Sequence, residues 1–373
     1  MPTCKPEGEV RGWRAALRAS LWLPKALCVN LLSRLPFSEH IHFNLQRLLG
    51  RHRLDGPEMF GRALELFRLH RHCGHDVFGK DVLEIGTGWF PFTPVMAQLL
   101  GARSVVTVDV HPWLRLGNMV RTIEELEPML DDMARRVGAE AGMVHERHGR
   151  LLSAARETAA LQDVLEAARI DYRCPCDLTK APLPPESFDV VFSSNVLEHI
   201  PPDDLRRIHR QVGRLLRDGG LAIHRFNPGD HFVELTGSTV NFLRFSERAW
   251  RWLGGSGLSY HNRLRSCEHA GLLSEAGLGL RLWADALDRE ALRTELGRTV
   301  MPAEPFERMP AEFLAAYYTW FVAGRADGES VTKPARVRWI DALLDGPDFG
   351  PGGGDAPGEV GREPARSSSS DSL

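Results

Sequence analysis

A short apolar strand that runs directly into two glycines constrains this chain more than any other feature. Asp81–Ile85 has the composition of a buried strand, and Gly86 and Gly88 follow it at once. Residues 94–100 are predicted to form a helix, and residues 104–109 a second, β-branched strand. A strand, a helix and a strand within about 30 residues make a βαβ unit, which favours a parallel sheet. The sequence therefore predicts an α/β fold.

The glycine-rich turn discriminates between two nucleotide cofactors. Ligands of such sheets bind beyond the carboxyl ends of the strands, where glycine lets the backbone approach them. A dinucleotide site has a third glycine, in the pattern G-x-G-x-x-G, where this chain has Pro91. Glu84, at the strand end, suits the cationic methionine part of S-adenosylmethionine better than a phosphate. Asp109 ends the second strand, where a carboxylate can accept hydrogen bonds from a ribose diol.

Later segments follow the glycine-rich turn in the order of a known family. They are Val108-Asp109, Cys176-Asp177, the strand and turn of residues 188–200, and Leu215-Leu216-Arg217-Asp218-Gly219-Gly220. Together with the turn they resemble class I S-adenosylmethionine-dependent methyltransferases over about residues 78–285. The resemblance implies a doubly wound, mostly parallel, seven-stranded sheet, the Rossmann-like methyltransferase fold. N-terminal helices and a helical insertion would be added to it.

The resemblance also implies which residues hold the cofactor. They are Glu84, Gly86, Gly88, Asp109, Val110, Asp177, Ser194 and Asn195. The first three would line the methionine part, and Asp109 would hold the ribose. Asp177 would bind the adenine amine, with a plain turn or helix-capping acid as the alternative. Ser194 or Asn195 would lie beneath the cofactor.

Methyl transfer to a hydroxyl needs a nearby acceptor and a base that takes its proton. The candidate bases are histidines near predicted strand ends, namely His199, His224, His231 and His261. We assign the catalytic role to His224, which ends the fifth predicted strand, and to His231, just beyond it. A Mg²⁺ site formed by Asp230, His231 and His224 would need more oxygen ligands than are visible, so no metal is expected.

Residues 225–265 form the predicted substrate loop, rich in His, Asn, Arg and Tyr. Its phrases Asp230-His231-Phe232, Asn241-Phe242-Leu243-Arg244-Phe245 and Asn262-Arg263-Leu264-Arg265 resemble a bacterial subgroup associated with polysaccharide and secondary-metabolite genes. This resemblance favours O-methylation of a small, sugar-containing or polyhydroxylated acceptor. N- or C-methylation and a non-catalytic S-adenosylmethionine-binding protein remain alternatives. The arginines either recognise an anionic acceptor or tie loops to backbone carbonyls.

The chain divides into an N-terminal helical extension, residues 1–77, and a methyltransferase domain, residues 78–325. Residues 116–170 read as an insertion of two or three helices after the second strand. It either covers the cofactor site and carries substrate contacts or is a structural hairpin. The Gly- and Ser-rich residues 346–373 are predicted to be disordered.

The net charge and the cysteine content bear on which partners the protein binds and on the cellular compartment in which it acts. A net charge of -3 and a pI of about 6.6 give no basic field for nucleic acid, so none is expected. Six scattered cysteines suit a reducing cytoplasm. Residues 11–35 form a basic amphipathic segment, which either lies on a membrane surface or packs on the domain. The sequence leaves the oligomeric state open.

Overall fold

The computed structural model describes residues 23–24, 27–28, 30–33, 54–254, 260–326 and 330–345. Most of the basic segment 11–35 and all of the predicted tail 346–373 lie outside the described residues. The predictions of membrane contact and of disorder made for these two segments therefore stay predictions.

A single sheet organises the part of the chain that the structure describes. Its eight strands are β1 (Asp81–Ile85), β2 (Ser104–Val108), β3 (Ile170–Arg173), β4 (Phe188–Ser194), β5 (Leu216–Phe226), β6 (Leu278–Leu287), β7 (Ala316–Arg325) and β8 (Ala335–Val337). Their order is β3-β2-β1-β4-β5-β7-β6-β8, and β7 runs antiparallel to both of its neighbours while the other pairs are parallel. The predicted α/β, doubly wound and mostly parallel sheet is confirmed. It has one strand more than predicted because β8 pairs with β6 at the edge.

Helices cover both faces of this sheet. Among the described residues between 54 and 345, the α-helices are α1 (Gly56–His72), α2 (Phe92–Leu99), α3 (Leu116–Leu126), α4 (Leu130–Val137), α5 (Ala141–Glu157), α6 (Leu161–Ala167), α7 (Pro202–Leu215), α8 (Val233–Thr236), α9 (Glu247–Leu253), α10 (Ser266–Glu275), α11 (Ala311–Leu314) and α12 (Asp341–Leu344). The segment predicted as an insertion contains four of them, α3 to α6, where two or three were predicted. None of the described helices combines the length and the apolar character needed to cross a membrane.

Two hydrophobic clusters form because successive strand residues point to opposite faces. Phe192 of β4 packs into the cluster that contains α1, α2 and the helices of the insertion. Its neighbour Val191 packs into the other cluster, with α7 and α10. The strand ends are therefore held between two rigid helical layers.

A buried ion pair fastens α1 to the sheet. Nε of Arg225, on β5, donates to Oε2 of Glu65 at 2.7 Å, and the indole N–H of Trp320, on β7, donates to the same oxygen at 2.8 Å. Burial raises the pKa of Glu65, and the nearby Arg225 opposes that rise. The side chain of Glu65 thus fixes α1 against β5 and β7, next to the end of β5.

The fifth strand is longer than predicted. The chain leaves α7 after Leu215 and is extended at Leu216, so β5 begins there and runs to Phe226. The prediction that His224 ends this strand is wrong, because two further residues continue the pairing with β7.

Candidate functional site

The turn after β1 requires glycine at two positions. Gly86 has φ +85°, and a Cβ there would lie 2.4 Å from Cγ2 of Val196, in the turn that follows β4. Gly88 has φ +64°, and a Cβ there would meet no described heavy atom within 4 Å. Gly86 is therefore needed for close packing between two turns, while Gly88 borders open space in which a ligand can approach the backbone.

Asp109 follows β2 and lies against this turn. Its Oδ2 accepts a hydrogen bond from the Gly88 amide at 2.8 Å, and its Oδ1 accepts one from the His111 amide at 2.9 Å. A carboxylate has about four lone-pair sites, so each oxygen retains acceptor capacity for a ribose diol. Val110, next in the chain, is 59% exposed, as a residue contacting a bound ring would be before binding.

Glu84 lies in β1, two residues before Gly86, and its side chain is buried. Its Oε2 accepts a hydrogen bond from Oγ1 of Thr107 at 2.6 Å, and that hydroxyl lies 2.6 Å from Oγ1 of Thr87. Burial raises the pKa of Glu84 to about 7, against the opposing hydrogen bonds from Thr107 and Thr93. The carboxyl is therefore poised between its neutral and anionic forms near neutral pH.

Two indole rings stack beside the turn. Trp89 directly follows Gly88, and Trp113 lies beyond the end of β2; their ring centroids are 4.6 Å apart with an interplanar angle of 19°. The ring of His111 lies 5.1 Å from that of Trp113. An aromatic wall thus stands next to the predicted ribose and adenine positions.

Asp177 is exposed and bonded within its own turn. Its Oδ1 accepts from the amide and hydroxyl of Thr179 at 3.0 and 2.7 Å, and Lys180 lies 3.0 Å from its Oδ2. These contacts lower the pKa of Asp177. Such contacts are expected of an acid that stabilises its own turn, which is the alternative role that the sequence left open for Asp177.

Ser194 and Asn195 lie at the end of β4. The Ser194 hydroxyl is buried and has no hydrogen-bond partner among the described residues. Asn195 has φ +54°, and its side-chain oxygen accepts a hydrogen bond from the Arg225 guanidinium. An unpartnered buried hydroxyl, the open space at Gly88 and the carboxylates of Glu84 and Asp109 fit a cofactor that carries a cation and a diol.

His224 is not brought to this edge of the sheet. Its side chain is 0% exposed, and its Nδ1 lies 2.8 Å from the Ser193 hydroxyl. The ring packs 5.7 Å from that of His209 on α7. Burial lowers the pKa of His224 to about 3. The strand continues past it, which places the ring inside the helical layer, away from the strand ends where an acceptor would bind.

The other three candidate histidines do meet. The ring centroid of His231 lies 4.1 Å from that of His261 and 5.0 Å from that of His199. His199 and His231 are exposed, whereas His261 is buried. The turn that carries His199 also carries Val196, whose side chain lies against Gly86, so the histidines lie at the same edge of the sheet as the glycine-rich turn.

Glu198 is the residue of this cluster that the sequence analysis missed. It is 1% exposed, and its Oε1 accepts a hydrogen bond from the Asn227 amide at 3.1 Å. In sequence it reads as part of the phrase Leu-Glu-His-Ile, and no spacing signal joins it to His231. Only the neighbouring positions of β4 and β5 in the sheet bring the two together.

Two arginines of the predicted substrate loop, Arg263 and Arg265, hold the loop itself. Arg263 donates to the carbonyls of Phe242 at 3.0 Å and Phe245 at 2.6 Å, and Arg265 donates to the carbonyl of Arg263 at 3.1 Å. Both arginines are buried. Of the two roles that the sequence left open, tying loops to backbone carbonyls is the one observed for Arg263 and Arg265. Arg244 is exposed, and its guanidinium lies 3.5 Å from Oδ1 of Asn241.

The strand order and the turn after β1 define a class of α/β protein that binds a nucleotide-like cofactor at its strand ends. A family model described as a methyltransferase domain matches residues 129–224. The glycine-rich turn and Asp109 precede the matched residues. The chain carries a methyltransferase domain, and S-adenosylmethionine is the methyl donor that such a domain uses. Among curated proteins, none matches this sequence.

Several solved structures show a distant likeness. An S-adenosylmethionine-dependent methyltransferase from Mesorhizobium loti is 16% identical, with a TM-score of 0.37 over 70% of this chain and 98% of that one. One from Listeria monocytogenes is 15% identical, also with a TM-score of 0.37, over 70% and 98%. Geranyl diphosphate C-methyltransferase from Streptomyces coelicolor A3(2) is 12% identical, with a TM-score of 0.38 over 69% and 76%. At these values the likeness carries no information about the acceptor.

Proposed function

We propose that this methyltransferase transfers a methyl group from S-adenosylmethionine to a hydroxyl of a small, sugar-containing or polyhydroxylated acceptor. The observation that carries the proposal is the group of histidines beside the glycine-rich turn. O-methylation requires removal of a proton, and an unprotonated imidazole near the methyl donor can take it. Desolvation of its imidazole lowers the pKa of His231 to about 3, which keeps that ring unprotonated at neutral pH but makes it a weaker base than a free imidazole. The resemblance of the substrate loop to the polysaccharide-associated subgroup supports the sugar-containing acceptor.

In this proposal the cofactor lies across the ends of β1, β2 and β4. Gly86 and Gly88 give it room, Glu84 attracts its cationic methionine part, and Asp109 holds the ribose. Val110 and Asp177 border the adenine. Ser194 and Asn195 lie beneath the cofactor, with the Ser194 hydroxyl free to bind it.

The acceptor would enter between the cofactor and the substrate loop. His231 is exposed there and is the base that we assign, while the burial of His224 limits it to a structural role. The proton removed from the hydroxyl passes to the His231 imidazole as the oxygen takes the methyl group. A cytoplasmic location and the absence of a nucleic-acid substrate belong to the same proposal.

The proposal is tested by screening glycosylated and polyhydroxylated compounds with isotopically labelled S-adenosylmethionine and locating the label in each product by NMR. A labelled O-methyl group is the expected result. Label on nitrogen or carbon would overturn the O-methyl assignment. Cofactor binding in calorimetry without any product across the screen would favour a non-catalytic binding protein.

The role of His231 is tested in the His231→Gln variant with the acceptor so found. Loss of a general base reduces the rate by about 10²- to 10⁴-fold, so kcat should fall while the affinity for S-adenosylmethionine stays. His145→Gln is the matched control, because His145 is another exposed histidine, paired with Asp131 on the helical insertion. Equal activity of the two variants would exclude His231 as the base.

A further inference from the structure

Three side chains with metal-binding atoms converge where β4 and β5 end. The ligand atoms of Glu198, His199 and His231 all lie within 4.8 Å of one another. Glu198 and His199 lie in the short turn after β4, and His231 lies five residues past the last residue of β5. Two imidazoles and one carboxylate are a ligand set found in zinc enzymes, where a fourth position is left open for water or substrate.

Only one of the two carboxylate oxygens of Glu198 has a hydrogen-bond partner among the described residues. Its Oε1 accepts the Asn227 amide, but its Oε2 is buried and has no hydrogen-bond partner among the described residues. A buried carboxylate oxygen without a partner is costly, and most such atoms in folded proteins are satisfied. An ion bound to Oε2 would satisfy it.

Contacts behind the cluster hold its members in place. Nδ1 of His199 lies 2.9 Å from the Tyr260 carbonyl, which fixes that nitrogen as the donor and leaves Nε2 with its lone pair. The Asn262 side-chain amide donates to the carbonyls of Leu197 at 2.7 Å and Ile200 at 2.9 Å, on either side of the ligand pair. Metal-binding histidines usually donate their second ring nitrogen to such an acceptor.

A further imidazole stands next to the three. Both ring nitrogens of His261 are buried without a hydrogen-bond partner in the described part of the chain, and its ring is 4.1 Å from that of His231. Its ring therefore borders the cluster and has hydrogen-bonding capacity that the described residues leave unused.

We propose that Glu198, His199 and His231 bind one divalent first-row transition ion, such as Zn²⁺. Nitrogen ligands favour these ions over Mg²⁺, which prefers oxygen. The site replaces the earlier expectation of no metal. It differs from the combination of Asp230, His231 and His224. The Asp230 carboxylate accepts hydrogen bonds from the amides of Phe232 and Phe242, and His224 is fully buried beside His209 of α7.

The ion would also activate the acceptor hydroxyl, the role that the proposed function gives to His231. This catalytic role of the ion rests on the proposed function. With the ion bound, His231 would be a ligand and no longer the base. An acceptor hydroxyl in the open position would be more acidic because the ion would stabilise its oxyanion. Its proton would pass to solvent water, and S-adenosylhomocysteine would leave as the oxygen takes the methyl group. Metal binding itself needs neither acceptor nor methyl transfer, so the site can be tested even if the proposed reaction is wrong.

The test is titration of the tag-free, full-length, chelator-treated protein with Zn²⁺ by calorimetry and with Co²⁺ by visible absorption. We expect one tight equivalent per chain and the d–d bands of Co²⁺ in nitrogen and oxygen coordination. Glu198→Gln, which keeps an oxygen for the Asn227 amide, and His231→Asn should each weaken Zn²⁺ binding by about 10- to 100-fold or more. His145→Asn is the control and should bind as the parent does.

Three results would overturn the site. They are the absence of a tight equivalent, equal binding in His231→Asn and His145→Asn, and a thiolate-to-Co²⁺ charge-transfer band that disappears in Cys176→Ser. Because His231 is exposed, the His231→Asn variant remains informative if the buried substitution at Glu198 prevents folding, which circular dichroism would show. Activity that survives chelation in a protein shown to bind Zn²⁺ would restore His231 as the base and overturn the catalytic part alone.

Discussion

At the end of β2, one carboxylate connects the glycine-rich turn to the predicted ribose position. Asp109→Ala removes the acceptor of the Gly88 amide and the proposed acceptor of the ribose hydroxyls. Hydrogen bonds to charged groups contribute about 1.5–3 kcal/mol each, so we expect the affinity for S-adenosylmethionine in calorimetry to fall at least about tenfold.

A matched control exists on the neighbouring strand. Asp171 of β3 is exposed and pairs with Arg173 at 2.8 Å, so Asp171→Ala changes the charge equally without touching the turn. Unchanged cofactor affinity in Asp109→Ala, or equal losses in both variants, would contradict the cofactor site as assigned.

We expect the buried carboxyl of Glu84 to make the stability of the fold depend on pH. Burial raises its pKa from 4.5 to about 7, so the folded state binds the proton more tightly than the unfolded chain does. The stabilisation from this group is full below pH 4.5 and is lost as the pH rises through about 7. Between pH 5 and pH 8 it should decrease by about 2–3 kcal/mol, at 1.36 kcal/mol per pKa unit.

Urea unfolding of the parent and of Glu84→Gln at both pH values isolates this contribution. Glutamine keeps an oxygen for the Thr107 hydroxyl but does not titrate, so the variant should lose less stability than the parent between pH 5 and pH 8. Parallel pH dependence of the two proteins would show that Glu84 is ionised in the fold at pH 5.

At the scale of the element, we expect the buried ion pair of α1 to contribute more to the free energy of unfolding than an exposed ion pair on the same helix. Removing one member of a buried ion pair costs about 3–5 kcal/mol, because the remaining charge stays uncompensated. Glu65→Ala should therefore lower the free energy of unfolding by that amount, because it leaves the buried Arg225 guanidinium between α1 and the sheet without its carboxylate partner. Glu58→Ala breaks an exposed pair with Arg62 on the same helix and should cost less than about 1 kcal/mol. Similar losses in both variants would show that Arg225 finds another partner.

Elements with a strong local pattern were predictable from the sequence. β1, β2 and β4 are short segments rich in Val, Leu, Ile and Phe, which is the composition of buried strands. The start of β5 was not, because Asp218-Gly219-Gly220 reads as a helix stop, and Gly219 does have φ +73°. The strand nevertheless begins earlier, at Leu216, which pairs with Phe188 of β4 before an irregularity in the register. The three residues of β8 have no sequence pattern of their own and are ordered by pairing with β6.

The candidate site was predictable only where its residues are close in sequence. The glycines and Asp109 belong to one βαβ unit, whose geometry fixes their proximity. The contact of Glu198 with His231 arises from the pairing of β4 with β5, and that of His261 from a segment tied down by Asn262. Burial of His224 was missed because its distance from the strand end depends on two added residues.

At the scale of the whole molecule, the sheet depends on a strand supplied late in the chain. β7 lies between β5 and β6, and its Trp320, Phe321 and Val322 are 0% exposed. Deleting residues 316–373 would leave two strands with unpaired edges and expose both hydrophobic clusters. We expect that variant to be insoluble or unfolded.

Deleting residues 346–373 alone provides the comparison. The variant keeps Asp341 and Asp345, which pair with Arg68 of α1. Its thermal unfolding midpoint should match that of the parent, because a Gly- and Ser-rich tail buries little apolar surface. A clear fall in the midpoint would show that the tail packs on the domain.

The paired indoles of Trp89 and Trp113 have an optical consequence. Two chromophores stacked at 4.6 Å couple their transition dipoles, so their near-ultraviolet circular dichroism depends on the angle between the rings. Because one ring follows the glycine-rich turn and the other follows β2, any ligand that separates those segments alters the coupling. The near-ultraviolet circular dichroism of Trp89 and Trp113 should therefore report ligand binding at the glycine-rich turn without an added label.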